Sequence, residues 1–185
     1  MKWISILFIF ITLTSCAEQE VREDNPSTII NESVSPPEGQ PSFPALNGSW
    51  IIDEGCDFDR ELLDDSNLAL ELLRGDYIAE VAVICQTGIS GGSQEALWWT
   101  MQWGNWSRLG NEAGRGLVWL IRPDVKPEDS RVAVQNSLWL YQNTAVDYVP
   151  IVEEAGQYAN VGDFNGALEA IVRGTNETLR EVVQP

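Results

Sequence analysis

Four carboxylates crowd the region around position 55: Asp53, Glu54, Asp57 and Asp59. Oxygen donors at this spacing can hold a hard cation, and Ca2+ is the one such a set would take. Their order is not that of an EF-hand. Counted from Asp57, Leu62 stands where that loop has its glycine and Leu68 where it has its closing glutamate. The competing reading is structural: negative charge suits the N-terminus of a helix, and Asp59 is placed to cap one. Capping explains the cluster better than metal binding does. Two cysteines lie close to this chemistry. Cys56 and Cys85 either pair as a disulfide or stand as two separate thiols, Cys85 then serving as a small hydrophobe at a strand end. The segment from Gly88 to Ser93 links a strand to a helix, where backbone N–H groups can cradle phosphate. It lacks the lysine of a P-loop and the spacing of a dinucleotide fingerprint, so a plain tight connection is the simpler reading. The chain has no histidine. Histidine-dependent nucleophiles, histidine phosphotransfer and the usual zinc sites are therefore excluded.

The elements that must position these residues follow from periodicity. Trp50-Ile51-Ile52 is a short extended piece. Leu62, Ala69, Leu70 and Leu73 give the inner face of a helix running from Asp59 to about Arg74. Glu80 to Thr87 is β-branched and apolar, a buried strand. Ser93 is placed to cap the next helix, in which Trp99, Trp103 and Trp106 share one face at spacings of four and three. Gly110, Gly114 and Gly116 end that helix. Leu117 to Ile121 is an unbroken apolar run, the mark of a strand covered on both faces. Pro123 to Asp129 reads as a turn and Arg131 to Ser137 as a further strand. Two helices close the chain, Ala145 to Ala159 and Asp163 to Val183. Their inner faces are Val149, Val152, Ala155 and Ala159, then Phe164, Ala167, Leu168, Ile171 and Leu179. Strands alternating with helices point to an α/β domain, expected as a three-layer α/β/α sandwich around a small mixed sheet of about four strands.

The chain divides into residues 1–15, 16–46 and 47–185. Lys2 and an apolar run from Ile4 to Thr12 lead into Leu13-Thr14-Ser15-Cys16, which resembles the lipobox of bacterial lipoprotein signal peptides. That resemblance implies cleavage before Cys16 and lipidation of its sulfur, with palmitate among the acyl chains. It places the protein in the cell envelope, with the periplasmic face of the outer membrane favoured in a two-membrane bacterium because Ala17, not Asp, follows the cysteine. The acidic, proline-containing stretch up to Leu46 cannot bury enough apolar area to fold and reads as a tether, reaching roughly 30 Å as flexible coil. The remaining 139 residues suffice for a single core.

Three blocks of the domain together resemble the TPM family, which includes the thylakoid acid-phosphatase-like protein linked to photosystem II repair and many bacterial envelope proteins. Asp53 closes an extended piece 28 residues before Val81. Trp103, Trp106 and Gly116 keep the family spacing from the central helix to the following strand. Gly162-Asp163-Phe164 opens the last helix. The resemblance implies an α/β/α sandwich, often exported or membrane-tethered. Where relatives carry an aspartate after the first sheet strand, this chain has Gln86. Where they show a Glu-Val-Gly-x-Gly-Leu-Glu-like run, it reads Ala133-Val134-Gln135-Asn136-Ser137-Leu138-Trp139. The acids and glycines that would surround a cation are replaced.

The formal charge is −17, from 28 acids and 11 bases. Nucleic-acid binding needs a basic surface and is excluded; membrane contact is expected through the acyl chains alone. Trp98 and Trp139 fall off the register of the other indoles, and exposed together they would suit a protein partner. The expectation is therefore a lipid-anchored module, non-catalytic, that binds or assembles envelope proteins. A metal-dependent acid phosphatase of the TPM type and a Ca2+-binding module are the alternatives.

Overall fold

The computed structural model describes residues 49–76, 78–89, 91–93, 95–97 and 115–183. The lipobox, the tether, Trp98 and the indole-bearing stretch Trp99, Trp103 and Trp106 lie outside the described residues. Four strands form one sheet in the order β1 (Ile51–Glu54), β2 (Glu80–Gln86), β3 (Gly116–Ile121) and β4 (Val132–Asn136). The first three are parallel and β4 runs antiparallel to β3. Every residue of β3 is buried, as is every residue of β2 after Glu80. That burial follows from the apolar runs at 81–85 and 117–121 and the cover on both faces.

One face of the sheet presents Ile51, Val81, Val83, Leu117, Trp119 and Ile121. Against it pack α1 (Arg60–Gly75), α3 (Val149–Asn160) and α4 (Phe164–Val182), through residues such as Leu70, Leu73, Ile151, Ala155, Leu168 and Ile171. The other face presents Ile52, Ala82, Ile84, Val118, Leu120 and Ala133 to Ile89, Ala96 and Leu97, the last two in the helical stretch at 95–97. The result is an α/β fold with a four-stranded mixed sheet flanked by helices, as the alternating pattern predicts. Among the described residues no helix is long and apolar enough to cross a membrane.

Local chemistry explains the element ends. Asn67 on α1 holds the start of β1, its Oδ1 accepting from the N–H groups of Trp50 (2.9 Å) and Ile51 (3.2 Å). Helix α3 ends at a glycine because Gly162 takes φ of 84°, the left-handed region that favours glycine. Asp163 then caps α4, its Oδ1 accepting from Gly166 N–H at 2.9 Å.

Three expectations need correction. Asp59 stands at the N-cap of α1, yet its side chain makes no capping bond; Oδ2 instead accepts from Asn165 Nδ2 at 2.9 Å, and its N–H donates to Asn165 Oδ1 at 3.0 Å. This clamp ties the start of α1 to α4. A six-residue helix, α2 (Leu138–Asn143), follows β4 where none was anticipated. Ser137 begins it by accepting from Leu140 N–H, and it buries only Leu140, too little for a periodic signal. The helix expected from Ala145 starts at Val149 instead. Pro150 favours a position in the first turn, and Asp147 accepts from Val149 N–H at 3.0 Å. Val149 is therefore exposed, and Ile151 takes its place on the inner face.

Tyr148 packs edge-on against the fully buried Trp119, ring centroids 6.0 Å apart. Its hydroxyl is buried with no hydrogen-bond partner among the described residues, and burial pushes its pKa up to about 12. The folded state holds this proton more tightly than the unfolded chain, whose tyrosine titrates near 10. The associated stability is complete below about pH 10 and is lost as pH rises toward 12. Tyr148→Phe is expected not to lower stability at neutral pH, because it removes an unsatisfied buried hydroxyl. It should also flatten the alkaline fall in urea midpoint between about pH 10 and 12. Urea unfolding of both proteins across that range measures both effects.

Candidate functional site at the strand tips

In open α/β sheets ligands bind beyond the carboxyl ends of the parallel strands, and the candidate residues converge there. Asp53 and Cys85 are register partners across β1 and β2, as are Glu54 and Gln86. Cys56, in the loop after β1, is joined to Cys85 by a disulfide with a Cα–Cα distance of 6.0 Å. Both cysteines are buried, Cys85 on a central strand and Cys56 in the loop after β1.

Asp53 organises this loop. Its Oδ1 accepts from the N–H groups of Gly55 (3.3 Å), Cys56 (2.9 Å) and Asp57 (3.2 Å), and its Oδ2 from that of Phe58 (2.7 Å). The chain wraps its amides around one carboxylate. Gly55, at φ 155°, and Asp57, at φ 54°, supply the backbone turns this wrapping needs. A Cβ at Gly55 would come within 2.6 Å of Thr87 Cγ2, so the loop lies tight against the end of β2. Asp57 is one of the few non-glycine types that tolerate the left-handed region.

Asp53, Glu54, Asp57 and Asp59, singled out as oxygen donors, are not brought together. Asp53 is turned onto its own amides and Asp59 onto Asn165. Among the described residues the acids and cysteines form one group of three with ligand atoms within 4.8 Å of each other: Asp53, Cys56 and Cys85.

The neighbouring tips are likewise closed by their own side chains. Gly88 N–H, which a phosphate could have accepted from, donates to Asp124 Oδ2 at 2.7 Å. Arg122 is buried at the end of β3, and among the described residues its side chain donates to carbonyls: Gly91 O at 2.7 Å through Nη1, and Asp129 O (2.7 Å) and Ser130 O (2.9 Å) through Nη2. Burial lowers its pKa, and the carboxylates of Asp129 and Asp124 oppose that shift. Its role is to lash the loop after β2 to the loop after β3. Sequence reasoning passed over Arg122, though an arginine ending an apolar strand was a signal that the strand tip needed a buried donor.

The run from Ala133 to Trp139 is placed in three settings. Ala133 is buried in the sheet, Ser137 caps α2, and Trp139 is half-buried with the Arg115 guanidinium 4.4 Å from its ring centroid. Leu138 and Tyr141 on α2 stand out into solvent, 67% and 73% exposed.

No family model matches the chain, and no curated protein matches it. Among solved structures, the N-terminal domain of a protein from P. gingivalis is similar with a TM-score of 0.55 and 18% identity, over 74% of this chain and 87% of that one. The N-terminal domain of cg2496 from Corynebacterium glutamicum matches over 74% of this chain and 84% of that one, with a TM-score of 0.47 and 14% identity. The first of these likenesses shows a shared bacterial α/β fold.

Proposed function

We propose that this chain is a TPM-type domain carried as a lipoprotein, anchored through Cys16 to the bacterial cell envelope, where it binds or assembles other envelope proteins without catalysis. The observation that carries the non-catalytic half is the occupation of the strand-tip groups. Asp53 is held by four backbone amides, Gly88 N–H is held by Asp124, and Arg122 is held by carbonyls. A metal-dependent phosphatase needs several acids gathered around one cavity; among the described residues the one group of three donors holds a single acid, Asp53, beside two cysteines joined as a disulfide. The fold shared with the P. gingivalis domain supports the α/β part of the reading.

The binding half rests on α2. Helices of this size normally turn apolar residues inward, yet Leu138 and Tyr141 face solvent beside the half-buried Trp139. Aromatic and aliphatic side chains on a rigid helix suit a protein partner. The Leu138→Ala/Tyr141→Ala double variant is expected to change stability by less than about 0.5 kcal/mol while weakening partner association at least tenfold. A photo-crosslinker at position 141, compared with one at Val161, which is somewhat more exposed, identifies the contact in envelope preparations. Specific adducts at 141 support the reading, and equal labelling at both positions contradicts it. Incorporation of labelled palmitate into the full chain but not into Cys16→Ser tests the anchor.

A further inference from the structure

We propose that reduction of the Cys56–Cys85 disulfide converts the tips of β1 and β2 into a binding site for a thiophilic divalent cation, Zn2+ in the first instance, held by both sulfurs and an Asp53 carboxylate oxygen. The three ligand atoms already lie within 4.8 Å of one another. Asp53 and Cys85 are side-by-side partners in register on neighbouring strands, so two of the three donors are fixed by the sheet and do not depend on the S–S bond.

The loop carrying the third is held independently. Cys56 N–H donates to Asp53 Oδ1, and the amides on either side do the same. Breaking the disulfide therefore leaves Cys56 tethered beside the carboxylate. Two thiolates on a tetrahedral zinc sit roughly 3.8 Å apart, given Zn–S bonds of about 2.3 Å. The sulfurs need to part by less than about 2 Å from bonding distance to reach that spacing, a shift within reach of a rotamer change at Cys56. The amides around Asp53 serve as the outer hydrogen bonds that orient a ligating carboxylate. Asp53 is only partly buried, so the fourth position opens toward solvent and takes water. Two thiolates with one carboxylate select a borderline-soft ion over Ca2+.

The chemistry balances with a dithiol as reductant. Two electrons and two protons pass to the S–S bond, giving the thiols of Cys56 and Cys85, and the donor closes to its own disulfide. Cation binding then releases two protons, one from each thiol.

The test uses the full chain carrying Cys16→Ser, which removes the only other thiol. The protein is reduced with dithiothreitol, desalted anaerobically and titrated with Co2+, then with Zn2+. The proposal predicts a thiolate-to-cobalt charge-transfer band that saturates at one equivalent, disappears on adding Zn2+ and is absent from the oxidised protein. Asp53→Asn keeps an oxygen for the loop amides and should weaken Co2+ binding at least tenfold while retaining the band. Cys56→Ser should abolish it. Should the reduced chain lose helical circular dichroism, metal-induced recovery of that signal is the expected result. A reduced chain with neither band nor metal-induced refolding overturns the proposal. So does a Co2+ affinity unchanged by Asp53→Asn, or a response to Ca2+ equal to that for Zn2+.

Discussion

Replacing Asp53 by alanine is expected to cost about 3–4 kcal/mol of folding stability, judged from several hydrogen bonds to a charged group discounted for partial exposure. The substitution strips the acceptor from four amides at once. Those of Cys56 and Phe58 belong to residues that are themselves buried, so the orphaned donors cannot all turn to water. Asp53→Asn is expected to lose less, since one oxygen remains. Urea unfolding of the three proteins measures the order. A cation-site account predicts the reverse, because removing a carboxylate from a set of mutually repelling acids stabilises a metal-free protein. Equal or greater stability of the alanine variant would therefore argue for a set of acids gathered around a hard cation and against the folding role.

The second large effect is loss of the disulfide. Cys56 and Cys85 are 29 residues apart, and the bond encloses β1's outgoing loop, α1 and most of β2. Loop-closure entropy at that separation corresponds to about 3–4 kcal/mol. Cys56→Ser/Cys85→Ser should unfold on the order of 10 °C lower than the oxidised parent. Asp53 and the disulfide restrain the same few residues, so combining Asp53→Ala with loss of the bond should cost less than the two costs added together. Thermal scans with and without reductant on each background give the coupling directly.

Much of this was legible in the sequence, for identifiable reasons. β2 and β3 announce themselves because a strand covered on both faces has no polar alternation to confuse with a turn, and residues 81–85 and 117–121 are apolar throughout. α4 was legible because Ala167, Leu168, Ile171 and Leu179 fall at helical spacing within a 19-residue helix and are all buried. α2 was not, because six residues with one buried side chain carry no period. The disulfide could be raised and not decided: pairing depends on a Cα separation that arises only when β1 and β2 align.

The acidic cluster was the hardest to read. A carboxylate that accepts from its own downstream amides and one of several gathered around a hard cation occupy the same kind of sequence, an acid before a glycine-bearing turn. What separates them is the path of the backbone. Two of the blocks that resemble the TPM family turn out to be such folding devices. Asp53 holds the loop after β1, and Gly162-Asp163 stops one helix and starts the next. Resemblance built on these residues speaks to fold. It leaves activity to the positions where this chain departs from the pattern, and those now hold Gln86 in the interior, Ser137 as a cap and Trp139 under Arg115.

The central claim is that the acids at the strand tips serve the fold and not a reaction. Phosphoester hydrolysis by the purified chain, from acid to neutral pH and with Ca2+, Mg2+ or Mn2+ in turn, tests it most directly. The account predicts rates indistinguishable from buffer for the wild type and for Asp53→Asn alike. Metal-dependent turnover that disappears in Asp53→Asn would contradict it.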